Sequence, residues 1–421
     1  MQDLIAINAA KFTCCLVKTL RLGSGSAIPG RVALKLSPKI LENFKTQLGS
    51  NNAIDFTVTG TNGKTTTTGI LKQICIEHSK EEPLCNDMGA NLYYGIVSEL
   101  VNSSNLLGQL KSKNLVLEVD EATLPAVAQV LKPRTLIATN IFRDQLDRFG
   151  ELDTTLKFIV KGIEAAQTEK HATKVVYNLD DGNLAKLPDL LREKFEFYSF
   201  RVDSEEKIKN LDSASTEASA DFFTKVLKQD LNSSLIEFGD ETNRLQVELK
   251  LPGLYNVYNA TAAAAAAFCD GISLESIKAG IKNYKVNFGR SETKRYKGKD
   301  LQIFLIKNPT GCTEVIKHLT RGGSKSSFVI ALNDDYADGR DVSWIWDAEF
   351  EHLAKLGSKV YCAGHRAKDL SLRLKYSGLD TSNIFVHENL METVDKAIEE
   401  TEQGVYLLPT YTALLELDKR I

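Results

Sequence analysis

From Ala53 onward the chain alternates short strand-like runs with longer helix-like stretches, and that alternation limits the fold more than any other feature. The runs are Ala53 to Val58, Pro83-Leu84-Cys85, Leu115 to Val119, Thr135 to Ala138 and Val175-Val176-Tyr177. Strands separated by helices need crossover connections, which implies a mainly parallel α/β sheet. A second series, Ile303 to Ile306, Phe328 to Ala331, Val360 to Cys362, Ile384 to Val386 and Val405 to Leu408, implies a separate, smaller α/β domain. The stretch between Arg290 and Lys299 is charged and lacks an apolar period, so the break is expected there. The expected division is an N-terminal helical segment over 1–45, a central domain with a mainly parallel sheet over 46–295 and a Rossmann-like C-terminal domain over 296–421. Ligands of such sheets sit beyond the C-terminal strand ends, so the residues just after these runs are the ones to inspect.

The first such place is Val58-Thr59-Gly60-Thr61-Asn62-Gly63-Lys64-Thr65-Thr66, a strand, a glycine turn and a helix start. The unpaired N–H groups of a first helical turn and the positive end of the helix dipole favour an anion there. Lys64 adds a point charge for β/γ phosphates, and the Thr65 hydroxyl suits Mg²⁺. Val58 stands where the common phosphate-loop pattern has glycine, so Gly60 to Thr65 is a shorter loop. Glu118 begins an acidic strand end, Glu118-Val119-Asp120-Glu121, that could hold Mg²⁺ opposite Lys64 and Thr65. Asn140, at the next strand end, is placed to touch phosphate or metal.

Composition narrows the alternatives. With 421 residues, 43% hydrophobic and 25% charged, the chain has the make-up of a soluble globular protein of two or three domains. A net charge of −3 gives no bulk attraction to nucleic acid, so an anionic ligand must be held by local groups. The seven cysteines are scattered without C-x-x-C spacing, which argues against a disulfide framework or a zinc ribbon and for reduced thiols in a cytoplasm. Asp3 and Lys11 interrupt the N-terminal stretch, which is neither a secretory core nor a membrane span. Ile5, Ala9, Phe12, Leu16 and Leu20 recur at helical spacing and predict an amphipathic helix packed on the body. Skimming a membrane is the alternative, disfavoured because Lys11, Lys18 and Arg21 are few.

Taken together, Gly60 to Thr66, the Glu118 strand end, Thr139 to Gly150 (TNIFRDQLDRFG), Tyr177-Asn178-Leu179-Asp180-Asp181, Leu254 to Ala263 (LYNVYNATAA) and Phe288-Gly289-Arg290 resemble, in content and order, the Mur ligases, which join amino acids to cell-wall precursors using ATP. The resemblance implies that Gly60, Thr61, Asn62, Gly63, Lys64, Thr65, Thr66 and Asn140 serve the phosphates, that Thr65 and Glu118 hold Mg²⁺, and that Asp181 and Asn259, supported by Asn256, serve the adenosine end. The chain departs from that family where Gln145 replaces a histidine, where Ile159 occupies the position of a carbamoylated lysine, and where Ile306 to Gly311 replaces the amino-acid-binding signature.

Those departures are similar to the MurT subgroup, subunits of lipid II isoglutaminyl synthase, as are Ile28-Pro29-Gly30, Lys307-Asn308-Pro309 and the run Tyr336 to Asp347 (YADGRDVSWIWD). The resemblance implies amidation of the α-carboxylate of D-glutamate in the lipid II stem peptide, with ATP, Mg²⁺ and ammonia from a glutaminase partner, GatD. It implies that Lys64 and Glu118 act in the ligase site and that Asp341 completes the partner's triad. The subgroup often carries a four-cysteine zinc ribbon; no cysteine lies between Phe200 and Leu249, so no zinc is expected. A peripheral position at the inner membrane face fits a lipid-linked substrate. Two alternatives remain open: a nucleotide-binding scaffold without turnover, and a self-sufficient ligase of the folylpolyglutamate synthase kind. From residue chemistry alone, Cys312 reads as a packing residue, and Trp344 and Trp346 as core or interface anchors.

Overall fold

A computed structural model describes residues 2–19, 27–48, 53–86, 90–142, 152–169, 172–191, 195–208, 211, 219–230, 232–285, 290–321, 327–402 and 404–421. Two sheets organise it. The first runs in the order β2-β3-β1-β4-β5-β6-β7-β8-β9. Its strands are β1 (Asp55–Thr59), β2 (Leu84–Cys85), β3 (Leu115–Glu118), β4 (Thr135–Ala138), β5 (Thr173–Asn178), β6 (Phe195–Asp203), β7 (Phe222–Gln229), β8 (Ser234–Gly239) and β9 (Arg244–Leu249). Neighbours are parallel from β2 through β7, and β7, β8 and β9 continue antiparallel.

Every residue of β1, β3 and β4 is buried, the signature of parallel strands covered on both faces. Helix α4 (Lys64–Ser79) and the helices Leu254–Cys269 and Leu274–Asn283 pack one face through Phe56, Val58, Val116 and Ile137. The other face, with Leu115, Leu117, Leu136 and Ala138, is covered by helices Tyr93–Asn102, Leu124–Leu131 and Leu152–Ala166 and by the N-terminal helices α1 (Gln2–Thr19), α2 (Ile28–Leu36) and α3 (Ile40–Gln47). The run Ala262 to Ala267 lies wholly buried in Leu254–Cys269, where small side chains let the helix approach the sheet closely.

The second sheet runs β10-β11-β15-β12-β13-β14, parallel except for β10 (Arg290–Tyr296) against β11 (Lys299–Phe304). The others are β12 (Ser327–Ala331), β13 (Lys359–Ala363), β14 (Ile384–Val386) and β15 (Val405–Pro409). The charged stretch expected to be a break is thus a strand. Residues 292–296 alternate between half-buried and exposed, and an edge strand of this kind presents charge to solvent without an apolar period.

Helix α1 corrects another expectation. Its buried side chains are Ala6, Ile7, Ala10, Cys14 and Val17, whereas Ile5 is 61% exposed, Phe12 71% and Leu16 48%. Two apolar stripes share this helix, and periodicity cannot rank them. Sterics does: Ala6 and Ala10 permit close approach to α2, which bulky Phe12 and Leu16 would not. Leu20 lies outside the described residues.

Candidate active site

Strand β1 ends at Thr59, and the chain turns through Gly60 and Gly63 at φ +124° and +84° before α4 begins at Lys64. Both glycines are required twice over. Their backbone angles favour glycine, and a Cβ would lie 2.3 Å from Thr139 Oγ1 at Gly60 and 1.9 Å from Asn259 Oδ1 at Gly63. The loop is therefore walled by the β4 strand end on one side and by helix Leu254–Cys269 on the other. Asn256 Oδ1 accepts from Asn259 Nδ2 at 3.2 Å, and Asn256 Nδ2 donates to Pro252 O at 2.7 Å. Asn259, expected at the adenosine end, thus stands against the phosphate loop itself, with Asn256 orienting its amide.

The β4 strand end fixes the loop's other wall. Asn62 N donates to Asn140 Oδ1 at 2.8 Å, and Asn140 Nδ2 donates back to Asn62 O at 3.0 Å. Thr139 Oγ1 also donates to Asn62 O, at 2.9 Å, and Phe142 N donates to Thr61 Oγ1 at 3.0 Å. Asp181 accepts from Ile141 N through Oδ2 (2.6 Å) and from Asn183 N and Leu184 N through Oδ1 (2.9 and 3.2 Å). Burial raises its pKa above the usual carboxylate value, and those backbone donors oppose the rise. In this geometry the Asp181 carboxylate is a buttress of the Thr139 to Phe142 turn. Residues 143–150, including Asp144 and Gln145, lie outside the described residues, as does Gly289.

Two carboxylates approach the start of α4. Thr65 Oγ1 donates to Glu118 Oε2 at 2.6 Å and Asn91 Nδ2 to Glu118 Oε1 at 2.9 Å, while Asn86 brackets the Glu118 backbone through both its N–H and its C=O. Lys64 Nζ donates to Gly60 O at 2.6 Å and pairs with Glu121 at 3.2 Å, both side chains being buried. Asp120 is also buried, and its Oδ1 accepts from Ala122 N at 3.2 Å. Thr66 is buried in the first turn of α4. Among the described residues no group of three His, Cys, Asp or Glu side chains is arranged to hold a metal ion. Ile159, at the position of the carbamoylated lysine, is wholly buried in apolar surroundings, with Lys157 and Lys161 exposed on other faces of its helix.

The C-terminal domain reaches the loop directly. Asn308 Nδ2 donates to Asn62 Oδ1 at 2.7 Å and Asn62 Nδ2 to Asn308 Oδ1 at 3.3 Å, across 246 residues of sequence. The same Asn308 oxygen caps helix Pro309–Thr320 by accepting from Gly311 N at 2.9 Å. Lys307 Nζ lies 3.5 Å from Thr61 O. Sequence reasoning found the Lys307-Asn308-Pro309 run but missed this contact; an asparagine before a proline at a helix start announces a cap, not its distant partner. Asn86 and Asn91 were also missed, for neither belongs to a local motif, and Thr139 was quoted only as the first residue of a run.

Asp341 lies elsewhere, on the loop after β12. It is half-buried, takes the Ser343 N–H at 2.8 Å and lines an open depression of about 300 Å³ with Arg340, Trp346, Arg366 and Asp369. Trp344 is buried and Trp346 is 48% exposed. Cys312 is fully buried, which pushes its thiol well above the usual range and removes it as a nucleophile.

A parallel sheet with a short glycine loop walled by asparagines, a threonine–carboxylate pair at the helix start and a second α/β domain capping the loop define a Mur-type ligase. The Mur ligase middle domain family matches residues 58–267, and the MurT ligase C-terminal family residues 305–414. Among relatives, the lipid II isoglutaminyl synthase (glutamine-hydrolyzing) subunit MurT of Streptococcus pneumoniae is 34% identical, over 94% of this chain and 92% of its own length. The corresponding subunit of Staphylococcus aureus strain COL is 28% identical, over 93% and 91%. Of solved structures, MurF from Acinetobacter baumannii superposes with a TM-score of 0.69 at 19% identity, covering 93% of this chain and 81% of that one. MurF from Thermotoga maritima in complex with ADP gives 0.65 at 17%, covering 92% and 85%. The chain belongs to the MurT family.

Proposed function

We propose that the chain is the synthetase subunit of a lipid II isoglutaminyl synthase, amidating the α-carboxylate of D-glutamate in the stem peptide. The observation that supports this reading is the glycine loop with Lys64, Thr65 and Glu118 gathered at the start of α4, joined to a C-terminal domain of the MurT kind. A carboxylate resists nucleophiles because it is anionic and its oxygen leaves poorly. In the proposed sequence a carboxylate oxygen attacks the γ-phosphorus of ATP, ADP departs, and an acyl phosphate results. The lone pair of ammonia then attacks the acyl carbon, the C–O bond to phosphate breaks, and a proton is lost from nitrogen.

The residues present fit ATP and Mg²⁺. Gly60 and Gly63 let the loop turn tightly between Thr139 and Asn259 into the start of α4, where a helix N-terminus favours phosphate, and the Thr65 hydroxyl and the Glu118 carboxylate are the hard oxygen donors that Mg²⁺ prefers. Mg²⁺ would supply neutralisation of charge on the phosphate oxygens. Lys64 adds the protein's own cation once it exchanges Glu121 for phosphate, and Asn140 with Asn259 holds the loop in place.

Ammonia is mostly protonated at neutral pH, so a glutaminase partner, GatD, would deliver it. A glutaminase of this class uses a cysteine nucleophile and a histidine base, and Asp341 would orient that histidine from the accessible depression on the C-terminal domain. The test compares wild type with Asp341→Asn, each with partner, lipid II and ATP, and either glutamine or ammonium. Glutamine-driven amidation is expected to fall by orders of magnitude, while ammonium-driven amidation persists. Equal loss with both donors would remove Asp341 from the triad, and no amidation by wild type with either donor would sink the reading.

A further inference from the structure

We infer that the outward face of α1 docks on an anionic lipid bilayer. The apolar side chains Ile5, Phe12 and Leu16 stand on the side of α1 away from the body, and Leu4 borders them at 38% exposure. The turn after helix Tyr93–Asn102 extends the patch with Leu106 and Leu107, exposed by 67% and 71%, and Asn8 Nδ2 ties the turn to α1 by donating to Leu106 O at 3.1 Å. Leucines at a turn tip beside an unpartnered apolar helix face form a continuous surface of the kind that inserts at the headgroup boundary.

Charge selects the occupant. Residues 1–39 hold six basic side chains, Lys11, Lys18, Arg21, Arg31, Lys35 and Lys39, against one acidic, Asp3, in a chain whose net charge is −3. Arg31, Lys35 and Lys39 are exposed on the segment packed beside α1, and the exposed Lys111 and Lys113 follow the Leu106–Leu107 turn. A protein partner or a second copy would need a matching acidic groove. A bilayer with anionic headgroups meets an apolar stripe rimmed by lysine and arginine without one. Three basic residues were too few by sequence; the fold adds exposed Arg31, Lys35 and Lys39 on the segment packed beside α1 and exposed Lys111 and Lys113 after the turn tied to it. No helix among the described residues is long and apolar enough to cross a membrane, so the contact is peripheral.

The patch also has a direction. Helices α1 and α2 run antiparallel, with Gln2 Nε2 donating to Leu36 O, and Gly30 at the start of α2 packs on Tyr94 and Ser98 at the start of helix Tyr93–Asn102. Asn91, just before that helix, touches Glu118. The stripe therefore extends toward the ligase site, an orientation that would present a lipid-linked acceptor. That use rests on the function proposed above; the docking does not.

The test is co-sedimentation of the full chain with phosphatidylcholine vesicles, with or without phosphatidylglycerol, at low and high salt. Binding only to phosphatidylglycerol vesicles, weakened by salt, is expected. Phe12→Asp with Leu16→Asp, and separately Lys111→Glu with Lys113→Glu, should each weaken it roughly tenfold or more; all four sites are exposed, and unchanged melting temperatures confirm the fold. No binding by wild type, undiminished binding by both variants, or a wild-type dimer that Phe12→Asp with Leu16→Asp dissolves would overturn the inference, the last assigning the patch to a second copy. Vesicle binding without any amidation would leave docking intact and remove only the proposed reaction.

Discussion

Lys64 is folded back onto Gly60 O and Glu121, so engaging a phosphate means exchanging one anion for another within a buried site. A buried cation that can swap partners avoids the desolvation cost of a bare charge. Lys64→Ala is therefore expected to abolish amidation with ammonium as with glutamine, since both pass through the same phosphoryl transfer. Glu118→Ala should match it. Parental rates in either variant, measured as amidated lipid II, would remove that residue from the site. Asp55, at the start of β1, makes a different residue-scale prediction. Burial pushes its carboxyl up to about 6, Lys45 at 3.8 Å only partly offsetting the burial. A native value above the unfolded one gives stability that is full below about pH 4 and lost as pH rises through about 6. Above that, the ionised group costs up to roughly 3 kcal/mol. Asp55→Asn should accordingly melt higher than wild type at pH 8, and the gap should narrow below about pH 6 and close toward pH 4 in a thermal titration.

At the scale of elements, helix Pro309–Thr320 has one residue serving two contacts. Asn308 caps it through its oxygen and holds Asn62 through its nitrogen. Asn308→Asp keeps the acceptor and loses the donor, so stability should hold while the apparent KM for ATP rises; Asn308→Ala should add a loss of about 1 kcal/mol. If the two variants bind ATP alike and equal to wild type, the contact with Asn62 is incidental. The strands β1 to β5 and β11 to β15 were legible because buried parallel strands read as short apolar runs. The strands β6 to β9 were not: in Phe222–Gln229 and Arg244–Leu249 one face is wet, and charged residues break the run. The glycine turn between β1 and α4 and the acidic strand end at Glu118 were readable for their local chemistry. The side of α1 that packs was decided by the size of Ala6 and Ala10 against α2, a tertiary contact that no single-helix period contains.

Across the whole molecule the residues proposed to serve amidation and to orient the partner's histidine lie in different domains, Lys64 at the start of α4 and Asp341 after β12. Their effects should separate cleanly: Lys64→Ala silent toward partner-dependent glutamine hydrolysis if that step runs uncoupled, Asp341→Asn silent toward ammonium-driven amidation. Partner-dependent hydrolysis measured without lipid II decides the first. The wall that Asn259 raises against Gly63 has a further consequence, for synthesis on the ribosome. Strands β1, β3 and β4 and the loop between them are all made before residue 143, yet the loop's second side arrives only with Asn259. At 5–20 residues per second the nascent chain carries an open, glycine-rich loop for roughly 6 to 23 s after its first wall is complete. Stalled chains long enough to expose residue 142 but not 259 should fail to retain ATP, and chains that expose Cys269 should retain it.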